Sequence, residues 1–571
     1  MGFVPEKLME VALKKRRAAL VLKNGSIVNV FSGDIEEGDL ALEEGYIAGV
    51  GRFEGIEEMD LDGKIICPGF IDAHVHIESA MVTPPVFASV VAARGTTSVI
   101  ADPHEIANVL GVSGIEYMIK VSRGLPLTVH IMVPSCVPAT SFETSGAEIT
   151  AGDIRVLLDR EGILGLGEMM NYPGVLAGDS EVLAKISAAA GRVVDGHGAG
   201  LSGDSLGAYC LAGISTDHEC ITAEEAKERI RLGMYVAIRE GTAAKNLESL
   251  LPAVSLNNWW KFMFCTDDRH IEDIMTEGHI DHCIRKSIAL GLDPVTAIRL
   301  ATINPARCYN LKGQGAVAPG YRGDLAVVDN LKEFNVEEVF VLGQRVAKGG
   351  RMLEDRPGGF SPAPGGSSIN MAPLGPEDLE IRGKDLRAPV IRVLPGSIET
   401  GFEYHEMDVK DGVLVPPPGS DILKIAVAER HRGTGNVSAA FIRGLGLRNG
   451  AIASSVAHDS HNVIVVGDDD RLMMRAVMAL KECGGGYCVA DGRNGDVLSL
   501  PLPVAGLMTD RPAGEVKKIL EVLIERVRDM GVHPDIDPFI TLSFMALPVI
   551  PSLKITDKGL FDVNSFKFVD W

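Results

Sequence analysis

The chain carries 55 basic and 77 acidic side chains in 571 residues, a net charge of -22. That field argues against nucleic acid or an anionic membrane as a partner. At 46% hydrophobic and 23% charged the composition is that of a soluble enzyme, and the length exceeds one compact core, so two or three domains are expected.

In chain order, the basic run Lys14 to Arg17 reads as a solvated helix end. The first residues lack the apolar core of a signal peptide, and no run is long enough to span a bilayer. Residues 18–66 then read as short strands with turns, such as Ala19 to Leu22 followed by Asn24-Gly25, Leu40 to Leu42, and Ile47 to Val50. This is a β-sandwich pattern. From residue 67, short apolar runs alternate with helical stretches, the mark of parallel βαβ units. The runs are 69–73, 97–101, 128–133, 163–167, 192–195, 213–216, 235–238 and 261–265. Thr222-Ala223-Glu224-Glu225 is a capping box, and Asp293-Pro294 opens another helix. Eight such units match a (β/α)₈ barrel.

The domains expected are a composite β-sandwich from 1–66 and 312–355, a barrel over 67–311, a Pro/Gly-rich linker at 356–379 and an α+β domain over 380–571. The nine cysteines are scattered with no CxxC pair, which argues against a disulfide framework and for a cytoplasmic setting.

His74-Val75-His76 directly follows the first barrel run. Residues two apart on a strand face the same side, so both imidazoles emerge together at the strand's C-terminal end, where barrel active sites lie. Glu168 ends the fourth run, His197 and His218 follow the fifth and sixth, and Asp267 ends the eighth. Five of eight strands thus carry a metal-capable residue at one rim. Four imidazoles and two carboxylates exceed the needs of one tetrahedral ion and suit a divalent pair with a bridging carboxylate and an activated water. Glu78, His104, Glu105 and Arg239 lie near strand ends and are candidates for gripping a substrate. A second polar cluster, His431 with His458 and His461, reads as pocket closure or a subunit contact ahead of a third metal site.

Pro68 to His76 resembles the opening signature of the amidohydrolase superfamily, as do the flanking strands and the segment Ala318-Pro319-Gly320 to Ala326. The resemblance implies His74 and His76 on one metal, His197 and His218 on the other, and Asp267 as ligand and proton shuttle. Many two-metal members place a carboxylated lysine at the end of strand four, where this chain has Glu168. With His76-Ile77-Glu78-Ser79, Asp102 to Asn108 and the added C-terminal domain, this departure resembles the adenine deaminase family of bacteria and archaea. That resemblance implies a hydrolase taking adenine to hypoxanthine and ammonia in purine salvage. Glu168 would be the bridging and catalytic carboxylate, with two divalent ions, manganese or iron with zinc as the alternative, in a homo-oligomer. The other readings are a hydantoinase- or dihydroorotase-like enzyme and a non-catalytic assembly protein on the same scaffold.

Overall fold

The computed structural model of the protein describes residues 6–354, 368–383 and 385–571. At its centre stand eight parallel strands. They are β1 (Phe70–Val75), β2 (Thr96–Ala101), β3 (Thr128–Val133), β4 (Ile163–Met169), β5 (Val194–Gly196), β6 (Thr216–Asp217), β7 (Tyr235–Arg239) and β8 (Phe262–Cys265). Strands β1 to β5 pair in order as one sheet and β6 to β8 as another. Ser215 N–H to the Val194 carbonyl joins them at one seam (3.0 Å), and a bridge between Val75 and Asp267 closes the other. Every residue of β1, β2, β5, β6 and β8 is buried, as expected of strands covered on both faces. Strands β5 and β6 are short and lie one to three residues later than the runs that mark them.

Strands from both sides of the barrel in sequence share one nine-stranded sheet. Ile65–Pro68, which leads into β1, pairs antiparallel with Leu325–Val328, which follows the last barrel helix. The entry and exit of the barrel are therefore tied together. Asn24-Gly25, expected as a turn, instead lies inside the strand Ala18–Val28. Asn24 takes a left-handed φ of 55° and the pairing register shifts between Leu22 and Gly25, so the turn signal produces a bulge. A side chain at Gly25 would also meet Ile66 Cδ1 at 2.8 Å.

Residues 356–367 of the expected linker 356–379 lie outside the described residues; the described part contains the turn Pro376–Leu379. Beyond it stands an eight-stranded mixed sheet packed by the helices Asp470–Glu482 and Ala513–Asp529. No described helix is long and apolar enough to cross a membrane.

The C-terminal region holds a buried lysine that fixes the wall of the central cavity. Lys554 is 0% exposed, and its ammonium donates to the carbonyls of Ile398 and Phe544, both at 2.9 Å. Burial pushes its pKa down to about 7. Below that pH both folded and unfolded states are protonated and the cost of burying the charge is fully present. Between pH 7 and the unfolded value of about 10.4, the folded state binds fewer protons, so this side chain's contribution to stability rises with pH. The urea midpoint of the wild type should therefore gain more between pH 7 and 9.5 than that of Lys554→Met. An equal gain in both would mean that Lys554 stays charged when buried.

Candidate active site

The rim at the C-terminal ends of the strands gathers the six side chains expected there, all buried: His74, His76, Glu168, His197, His218 and Asp267. The placement of His74 and His76 begins with Asp72, beneath them on β1. Its carboxylate accepts the N–H groups of His74 (3.2 Å) and Thr266 (3.1 Å) and the Thr266 hydroxyl (2.5 Å). The first and last strands are thereby locked together. Asp217 does the same for the loops carrying His197 and His218. It accepts the N–H groups of Gly198 (3.2 Å) and Glu219 (2.9 Å) and is itself held by the buried Arg229 at 2.9 Å. Glu168 is fixed from behind, its N–H donating to Asp102 Oδ2 at 2.9 Å. The carboxylate of Asp102 crosses so close to β4 that a Cβ at Gly167 would lie 2.1 Å from it.

His74 Nε2 and His76 Nε2 stand 3.1 Å apart. His76 Nε2 is 3.0 Å from Asp267 Oδ1 and 3.4 Å from Glu168 Oε1. The two oxygens of Glu168 divide between two sides: Oε1 faces His76 and His104 (3.3 Å), while Oε2 faces His197 Nδ1 at 2.7 Å and His218 Nε2 at 3.1 Å. His74 and His218 stack, with centroids 4.2 Å apart.

The tautomer of His76 tests whether this set fits a cation. Its Nδ1 is 2.8 Å from the Asp102 carbonyl, which can only accept, so Nδ1 carries a proton and the neutral imidazole presents its lone pair at Nε2. That lone pair aims at carboxylate oxygens and at a second imidazole nitrogen, all electron donors. Lone pairs and anionic oxygens converging on common points are the donor set of a divalent cation. The triads His74–His76–Glu168, Glu168–His197–His218 and His74–His218–Asp267 each have the spacing for one ion. The residues therefore fit a divalent metal centre.

Asp267 is held from the other side. Arg239 donates to its Oδ2 at 2.7 Å and also to Glu219. Against burial, Arg239 and the surrounding histidines keep the Asp267 carboxyl well below the usual carboxylate range. Glu219 is a member of the site that the sequence did not single out. It is one of 77 acidic residues, and only its partner on the next strand distinguishes it.

The centre opens into a narrow cavity of about 40 Å³. His104, Glu105 and Arg239 border it; Glu78 does not. Glu78 sits on the turn Ile77–Ala80 and accepts the Ile106 N–H at 3.1 Å; burial, with Glu105 nearby, pushes it up to about 7.

The far wall comes from the C-terminal region: Ile398, His458, Asp459, Phe544, Leu547 and Ile550. Phe544 stacks on His458 with centroids 4.7 Å apart. Glu105 of the barrel is gripped there by His458 Nδ1 (2.6 Å) and by His461 Nε2. These three side chains have the spacing of a further metal triad, but their protons exclude it. His461 Nδ1 accepts the Ala457 N–H at 3.1 Å, so Nε2 bears the proton and donates to Glu105. The cluster is a hydrogen-bonded clamp between barrel and C-terminal region. His431 stands beside the clamp as expected, its Nε2 2.7 Å from the Ser460 carbonyl.

The family described as "Amidohydrolase family" matches residues 65–346, and the one described as "Adenine deaminase C-terminal domain" matches 397–567. An adenine deaminase of Desulfatibacillum aliphaticivorans is 50% identical over 553 residues, covering 96% of each chain. This chain belongs to the adenine deaminase family. Another family member, the adenine deaminase of Clostridium acetobutylicum, is 46% identical over 575 residues and 99% of each chain. The likeness to these relatives runs through the barrel and through the C-terminal region that walls the cavity.

Proposed function

We propose that this protein hydrolyses adenine to hypoxanthine and ammonia. The division of Glu168 between two imidazole pairs, at the mouth of a cavity with a flat His458–Phe544 wall, carries this reading. The mixed imidazole and carboxylate donors suit two divalent ions, manganese or iron, held by His74 and His76 on one side and His197 and His218 on the other, with Glu168 between them and Asp267 as a further ligand. When bound, such ions supply Lewis acidity that makes water a nucleophile near neutral pH.

The chain's own residues do the rest. Arg239 holds Oδ2 of Asp267, which leaves Oδ1 facing the centre. As the water oxygen bonds to C6 of the purine, Oδ1 takes its proton and returns it to the exocyclic nitrogen while the C6–N bond breaks. Ammonia then leaves as a neutral molecule. Ile398, Phe544 and Leu547 exclude water and cover the face of the ring. Among the substrate candidates, His104, beside Glu168, is placed to touch the purine, whereas Glu105 and Arg239 are engaged with protein partners and act by holding others. Purine salvage in a reducing cytoplasm is the setting we propose; nine unpaired cysteines support it. Mass measurement in solution tests the expected homo-oligomer.

Ammonia release from adenine by manganese-reconstituted protein, with metal counted in the same sample, tests the reaction. Turnover with about two ions per chain is the expected result. Two ions without turnover of adenine, but with hydrolysis of dihydroorotate or hydantoin, would replace adenine by a cyclic amide.

A further inference from the structure

Six carboxylates border the cavity, and five are engaged. Glu168 and Asp267 face the histidines, Glu105 is clamped by His458 and His461, Glu219 is paired with Arg239, and Asp268 accepts from Ser79. Asp459 is the exception among the described residues. Its side chain is 4% exposed, and its Oδ2 has no hydrogen-bond partner. The imidazole nitrogens nearest Oδ1, on His104 and His458, stand 3.9 and 4.0 Å away, beyond hydrogen-bond reach. A carboxylate taken out of water without a partner is costly, and native structures retain such a group where it has a task.

The loop around Asp459 is not loose. His458 and His461 grip Glu105, Asn462 donates to the Thr144 carbonyl at 2.8 Å, and the Ser460 carbonyl is held by His431. The fold thus fixes the backbone on both sides of Asp459 and leaves its carboxylate aimed into the cavity. His104 lies between that carboxylate and the centre, its Nδ1 3.3 Å from Glu168 and its Nε2 on the Asp459 side. Asp459 therefore stands about one imidazole ring beyond the reacting end of the cavity. A purine lying alongside the His104 ring, with C6 at the centre, spans the same distance with its five-membered ring.

We propose that Asp459 selects the free base: its carboxylate accepts the ring N–H on the imidazole half of the purine, a hydrogen that 9-substituted purines lack. The proposal rests on the adenine reading and names its specificity determinant. A site built around an N–H donor rejects the analogue without it, because the acceptor is then left buried and unpaired.

Steady-state kinetics of wild type, Asp459→Asn and Asp459→Ala with adenine and 9-methyladenine test it, with metal content and thermal midpoint measured on each protein. Asp459→Ala should lower kcat/KM for adenine by roughly 10- to 150-fold, the worth of one hydrogen bond to a charged group. The loss should lie mainly in KM, with Asp459→Asn falling between. The value for 9-methyladenine should not fall, so that discrimination collapses. The thermal midpoint should not fall, because no intramolecular hydrogen bond is lost. Unchanged kcat/KM for adenine, or an equal loss for both bases, would overturn the proposal. If fully metallated wild type turns over neither base, the adenine reading fails. Calorimetric binding of the two bases to wild type and Asp459→Ala then decides Asp459 on its own: equal binding by both proteins sinks it.

Discussion

Asp267→Asn should give a folded, metal-bearing protein whose turnover of adenine falls by about 10²- to 10⁴-fold, the usual worth of a positioned general acid–base. The substitution is clean for a structural reason. Asp267 has a left-handed backbone, φ 56°, which asparagine tolerates better than other non-glycine residues. Its N–H donates to the His74 carbonyl at 3.0 Å, so the barrel seam depends on that conformation. An amide oxygen can still accept from Arg239, but an amide cannot take the proton of water. Ammonia release and metal content, measured together, decide the matter. A near-normal rate with full metal would remove Asp267 from proton transfer.

Glu168→Gln should act in the opposite order, on metal first and rate second. Each oxygen of Glu168 serves a different set of histidines. Glutamine keeps one acceptor and turns an N–H donor toward the other set, where lone pairs already converge. Loss of even an outer-shell partner costs about 10- to 100-fold in metal affinity, so loss of the shared ligand should cost at least that. Metal analysis at matched free manganese should fall from about two ions per chain toward one. Added metal should restore part of the rate. Retention of both ions with full activity would show that Glu168 does not bridge.

The barrel was legible because parallel strands covered on both faces leave continuous apolar runs, and each run from Phe70 to Cys265 became a strand. The clustered histidines and carboxylates of the rim were legible because each lies just past such a run. What hid was whatever depends on contacts across the sequence. Glu219 follows His218 directly, and nothing local separates it from a turn residue. Glu78 shares a short turn with Ile77 and Ala80, and a period of three over four residues does not say which side meets the cavity. Asp459 sat inside a visible polar cluster, yet its lack of a partner is a property of packing. Asn24-Gly25 reads as a turn and forms a bulge because the same left-handed preference serves both.

The clamp on Glu105 also orders events during synthesis. Its partner His461 lies 356 residues further along the chain. At about 5–20 residues per second that separation is roughly 20–70 s of translation. Through that interval the barrel can form and gather its histidines, but Glu105 has no imidazole to meet it and the hydrophobic wall of the cavity does not yet exist. A chain that has emerged only as far as the barrel therefore lacks Ile398, Phe544 and Leu547, the apolar side of its own cavity.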